Sequence, residues 1–113
     1  MKNEISNMMK KSKLTKEEMK DFLAKTEASD KKLDHSRAYR TLMNEIRREL
    51  LKFIGYEIRS ISEIKKKFNL EENQLKYHLS MLEQSLYIIE SSEGWKSTPR
   101  GLGFLNNAIM GVE

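Results

Sequence analysis

The chain has 113 residues, 38% hydrophobic and 34% charged, enough apolar material for one small domain around a modest core. Lys and Arg total 21 against 17 Asp and Glu, and the net charge of +4 points to a polyanionic partner without making the chain a polycationic tail. The absence of cysteine excludes disulfides, thiolate catalysis and most zinc sites. The longest apolar run covers only residues 86–89, so no transmembrane helix is expected, and Met1-Lys2-Asn3-Glu4-Ile5-Ser6 lacks the apolar stretch of a signal peptide. A cytoplasmic location is expected.

Composition shifts near residue 36. Residues 1–36 hold nine Lys, no Arg and seven acidic groups, and every Arg lies at position 37 or later. Ile5, Met8 and Met9 fit either one helical turn or a frayed end. Thr15-x-x-Glu18 reads as a capping box that opens a helix, and Met19, Phe22 and Leu23 give that helix an apolar stripe to about Ala28. Ser29-Asp30-Lys31-Lys32-Leu33-Asp34-His35 reads as a solvated linker. The expected organisation is an N-terminal helical extension and linker over 1–36 and a main domain over 37–113.

In that domain Tyr39, Leu42, Met43, Ile46, Leu50, Phe53 and Ile54 repeat at three- and four-residue steps. The spacing predicts one amphipathic helix that Gly55 stops, with Glu45, Glu49, Arg47 and Arg48 at solvated positions. Ser60-Ile61-Ser62-Glu63 is a second capping box, leading a short basic helix through Phe68, and Asn69 suits a left-handed turn. A further helix from about Glu72 to Gln84 turns Leu75, Leu79 and Leu82 inward. The pattern then becomes extended: Tyr87-Ile88-Ile89-Glu90 and Trp95-Lys96-Ser97 read as strands joined by Ser92-Glu93-Gly94. Thr98-Pro99 starts a last helix with Leu102, Leu105 and Ile109 as its stripe.

Helix, helix, short turn, helix, hairpin, helix is the order of a winged helix-turn-helix, a mainly α fold with a small β-hairpin. The chain also resembles the winged-helix transcription regulators of the archaeal and ArsR/MarR-like kind. The resemblance lies in Ser60-x-x-Glu63-Ile64, Leu70, Leu75-Lys76-Tyr77-His78-Leu79-x-x-Leu82-Glu83, Leu86-Tyr87-Ile88 and Trp95-Lys96-Ser97-Thr98-Pro99-Arg100-Gly101. It spans roughly residues 37–110 and implies DNA binding, regulation of transcription and a homodimer. Lys65 stands where the family places a small residue, Glu71 where it caps the recognition helix with Ser or Thr, and Ser97 where it places an apolar residue. Glu71 and Glu72 favour a helix dipole but would repel phosphates.

With the leucines turned inward, Asn73, Gln74, Lys76, Tyr77 and Ser80 remain outward on the recognition helix. Asn and Gln bond adenine edges, Lys reaches guanine or phosphate, and Tyr reaches phosphate or a thymine methyl; the bland alternative is a solvated helix face. Lys65, Lys66 and Lys67 lie on the helix that would cross the DNA backbone, or form a solubilising face. Arg59, Lys96 and Arg100 would flank the same surface, the last two at the base of the wing. His78 is expected half-buried against a neighbour, and Trp95 to pack on the core rather than stack on a ligand. Too few His, Cys and carboxylates converge for a metal site, no cofactor is implied, and phosphate-loop and catalytic signatures are missing, so no enzyme is expected.

The sequence is thus read as a double-stranded DNA-binding transcriptional regulator, with a helix over about 73–84 in the major groove. A homodimer would use the N-terminal helix, Met19, Phe22 and Leu23 among its residues, with the final helix. The rival is a winged-helix module that binds protein and not DNA, favoured by the small charge excess over residues 59–80. No effector ligand can be named.

Overall fold

The computed structural model describes residues 12–110; the apolar cluster Ile5, Met8 and Met9 and the side chain of Ile109 lie outside the described residues. Among the described residues six helices and one antiparallel hairpin follow in the order α1 (Lys16–Ala28), α2 (Lys31–Leu42), α3 (Glu45–Ile54), α4 (Ile61–Phe68), α5 (Glu72–Gln84), β1 (Ile88–Ser91), β2 (Gly94–Ser97) and α6 (Pro99–Met110). No described helix is long and apolar enough to cross a membrane.

Both capping boxes form. The Thr15 hydroxyl accepts from the Glu18 N–H at 3.1 Å while the Glu18 carboxylate accepts from the Thr15 N–H at 2.8 Å, and Ser60 and Glu63 exchange the same pair at 3.1 and 3.0 Å. Each cap satisfies donors that a helix start otherwise leaves open.

Two expectations about the next segment fail. Of the stretch read as a linker, Lys31–His35 form the first part of α2: the Asp30 carboxylate caps the helix by accepting from the Leu33 N–H at 3.1 Å, and it runs through position 36 without a break. The single long helix is two helices, because the Asn44 side chain accepts from the Arg47 N–H at 3.1 Å and starts α3 anew. Met43 and Ile46 continue the apolar spacing but face solvent beside this break, whereas Leu42, Leu50 and Ile54 are buried. Gly55, at φ 46°, ends α3 as expected.

The core gathers Leu42, Leu50, Leu51 and Ile54 with Ile64, Leu75, Leu79, Leu82, Ile88, Trp95 and Leu102. Asn69 takes the left-handed conformation at φ 52° and ends α4, its N–H donating to the Lys65 carbonyl at 3.0 Å. At the far end of α5, Leu86 also stands at positive φ, and the Tyr87 N–H turns back to the Leu82 carbonyl at 3.0 Å. Tyr87 therefore closes the helix, and the first strand begins one residue later than the sequence predicts.

The hairpin pairs Ile88 with Ser97 and Ser91 with Gly94. Arg59 adds a bridge to its outer edge, exchanging backbone hydrogen bonds with Trp95 at 3.0 and 2.8 Å. A Cβ at Gly94 would stand 2.5 Å from the Arg59 carbonyl, so this close approach, together with φ 137°, requires glycine.

Trp95, Lys96 and Ser97 are all buried, where a hairpin with one wet face would alternate. The Ser97 hydroxyl has no hydrogen-bond partner in its buried position. Ser97→Ala is expected to raise stability by roughly 1 kcal/mol, because an orphaned buried hydroxyl forfeits its hydration without return. The measurement is the urea midpoint at unchanged m; a lower midpoint would show that the hydroxyl is satisfied.

Candidate nucleic-acid interface

A turn of three residues, Asn69-Leu70-Glu71, carries α4 into α5. Because Leu75, Leu79 and Leu82 are at most 1% exposed, the rotation of α5 about its axis is fixed, and with it the outward set. Asn73, Gln74, Lys76 and Tyr77 are exposed and Ser80 is half-exposed, so the structure brings together the five side chains singled out on this helix. The Ser80 hydroxyl already accepts from the Gln84 amide at 3.1 Å. Glu71 makes no side-chain cap, leaving the first N–H groups of α5 without the bond a Ser or Thr would supply.

Charge on this face is less available than the sequence implies. The Glu72 carboxylate holds Lys65 at 2.9 Å with one oxygen and Lys76 at 3.1 Å with the other. Hydrogen bonds from Lys65 and then Lys76 hold the Glu72 carboxyl below its ordinary pKa. Lys66 and Lys67 stay exposed and form no ion pair among the described residues. Beside them Arg59 is half-buried: its guanidinium lies 4.2 Å from the Phe53 ring centroid, its Nε donates to the Phe53 carbonyl at 3.0 Å, and Glu63 stands 3.5 Å away. Arg59 thus joins the start of α4 to α3 more than it extends the lysine face.

The two cations assigned to the base of the hairpin are not on this surface. Lys96 is 2% exposed and donates to the Glu18 carboxylate at 2.8 Å, so α1 covers the outer side of β2. Arg100 forms a two-pronged pair with Asp34 of α2 at 3.0 and 2.8 Å and also donates to the Ser85 carbonyl at 3.0 Å. Both side chains tie the N-terminal helices to the rest of the chain. Their partners, acids of residues 1–36, give no sequence signal of that pairing. The hairpin itself presents Glu90 and Glu93 to solvent.

Sequence reasoning misses Arg47, whose spacing predicts a solvated charge on the helix. It is 9% exposed, donates from Nε to His78 Nδ1 at 3.1 Å and from Nη1 to the Thr41 carbonyl at 3.4 Å, and stands 5.4 Å from the centroid of the Tyr77 ring. Burial, and next the Arg47 charge, push the His78 pKa below its ordinary 6.5, so His78 accepts as a neutral ring at pH 7. Arg47 thereby backs two consecutive residues of α5 from beneath, one of them on the outward face. The only signal for it was Asn44, whose cap places Arg47 one turn inside a new helix.

Trp95 is buried in the core, 8% exposed, and is not a stacking platform. No cluster of three His, Cys, Asp or Glu side chains among the described residues is arranged to hold a metal ion. Comparison with protein-family models, with curated proteins and with solved structures finds no match to this chain.

Proposed function

We propose that the chain is a winged helix-turn-helix protein that binds double-stranded DNA and regulates transcription, with α5 in the major groove and the α4 lysines along the phosphates. The observation that carries this reading is the outward set Asn73, Gln74, Lys76 and Tyr77 on a helix whose rotation three buried leucines fix, one three-residue turn from a lysine-bearing helix. Such a pair presents hydrogen-bonding side chains to a groove about 12 Å wide while the preceding helix crosses the backbone. Phosphates would compete with Glu72 for Lys65 and Lys76 and add both to Lys66 and Lys67. A homodimer is part of the proposal, since one short helix reads few bases. Its surface would be α1 and α6; Phe22 is buried within the chain, and Leu23, 48% exposed, remains available.

The test is titration of duplex DNA followed by fluorescence anisotropy. Affinity should fall roughly tenfold or more between 50 and 200 mM salt as counterions are released. Gln74→Ala should cost about 1–3 kcal/mol on a selected site and little on random duplex, while Lys66→Ala should weaken both by similar factors. If both variants behave alike on both duplexes, α5 is not the reading helix.

A second reading, a winged-helix module that binds protein instead, is favoured by the neutralised Lys65 and Lys76 and by the carboxylates of the hairpin. It requires that no duplex DNA be bound at 50 mM salt.

A further inference from the structure

The two most exposed of the large apolar side chains lie away from α5. Tyr39 on α2 and Met43 at its end are 66% and 62% exposed. Beside them runs a cleft of about 380 Å³ whose walls include Ala38, Leu42, Tyr87 and Phe104. His35 and Arg48 line its edge, and no carboxylate does. Lys31 and Lys32 are exposed and stand four and three residues before His35, so they continue the same side of α2. Among the described residues Lys31, Lys32 and Arg48 form no ion pair, and Asp34, the one acid of α2, is held by Arg100.

Apolar walls flanked by cations select an occupant that is both apolar and acidic. A second copy seated on this face about a two-fold axis would set one cationic rim against another, which disfavours it. Residues 1–11, with Lys2, Lys10 and Lys11 against Glu4, carry the same sign as the rim. A nucleic acid would answer the cations but leave Met43, Leu42 and Phe104 without apolar partners. An amphipathic helix with apolar residues at i, i+3, i+4 and i+7 and acids between them satisfies both conditions.

We propose that the cleft between α2 and α6 docks an acidic amphipathic helix of another protein, its apolar side chains against Tyr39, Met43 and Phe104 and its carboxylates against Lys31, Lys32 and Arg48. This face is separate from the proposed DNA surface, and the proposal stands whether or not that surface binds DNA.

The experiment uses the full chain and fluorescein-labelled helical peptides of roughly 15 residues, Leu and Phe on one face and Glu on the other, with a Lys-for-Glu peptide and a scrambled peptide as controls. The acidic peptide should bind at least about tenfold tighter than either control and shift the Met43 methyl resonance. Tyr39→Ala, at an exposed position, should weaken it about tenfold, and Lys32→Glu should do the same without touching the apolar wall. Equal affinity for acidic and basic peptides, or wild-type affinity in both variants, overturns the proposal. So does a Tyr39→Ala protein that loses dimerisation in sedimentation, which would make the cleft an interface between copies. Competition of the acidic peptide by single-stranded DNA that Tyr39→Ala abolishes would assign the face to nucleic acid.

Discussion

Glu18→Ala is expected to destabilise the fold by about 3 kcal/mol and to lower Tm by roughly 10 °C or more, although Glu18 lies in the N-terminal helix and far in sequence from the core. Lys96 is 2% exposed, and its ammonium donates to the Glu18 carboxylate at 2.8 Å. Removing the acid leaves a buried cation uncompensated, and it also strips the Thr15 N–H of its cap. Adding Lys96→Met to Glu18→Ala should restore most of the loss, since a buried pair replaced by apolar groups is often neutral while a broken pair is not. Acid should report the same contact. Burial raises the Glu18 pKa, but hydrogen bonds from Lys96 and from the Thr15 N–H outweigh it, and the folded value lies below the ordinary 4.5. A carboxyl depressed on folding contributes stability that is complete above its unfolded pKa and is lost as pH falls through the folded one. Below about pH 4.5 the wild type should therefore lose stability more steeply than Lys96→Met. A Glu18→Ala protein with wild-type Tm would show that α1 is an independent appendage.

That contact also marks where the sequence stops being informative. The features read correctly are local: the caps at Thr15 and Ser60 close over three residues, Asn69 needs only its own backbone, and the spacing of Leu75, Leu79 and Leu82 fixes the buried side of α5. Lys96 and Arg100 find their acids 78 and 66 residues away, and no periodicity reports such a pairing. A basic residue beside a Thr-Pro step reads as a surface cation whether it is exposed or buried. The same blindness produced the linker between α1 and α2, since Asp30 among charged neighbours looks like solvated chain until it is seen capping Leu33. The break at Asn44 was hidden by Met43 and Ile46, which keep the helical spacing while facing water. On the candidate interface the outward residues of α5 were legible because leucine spacing determines them. The Glu72–Lys76 pair is an i,i+4 contact within α5, but the reach of Glu72 to Lys65 and the burial of Arg47 were not legible, because each depends on how α3, α4 and α5 meet.

Gly101→Ala should be among the most damaging single-methyl additions in the chain, costing about 3 kcal/mol, while Gly103→Ala two residues on should stabilise by roughly 0.5–1 kcal/mol. Both glycines belong to α6, so helix propensity alone predicts a gain at each. What separates them is what the new methyl meets. At Gly101 a Cβ would stand 2.4 Å from the Tyr87 carbonyl oxygen and 3.1 Å from the Leu51 side chain; at Gly103 nothing lies within 4 Å. The Tyr87 carbonyl cannot yield cheaply, because it accepts from the Thr98 N–H at 3.0 Å and the Tyr87 N–H is committed to α5 at Leu82. Leu51 is fully buried in the core and has nowhere to go. The methyl would therefore push α6 away from the segment joining α5 to β1, loosening the Arg100 bond to the Ser85 carbonyl that spans the same gap at 3.0 Å. Thermal unfolding of the two variants side by side is the measurement. A Gly101→Ala protein as stable as Gly103→Ala would mean that α6 does not pack against Tyr87 as closely as these distances require.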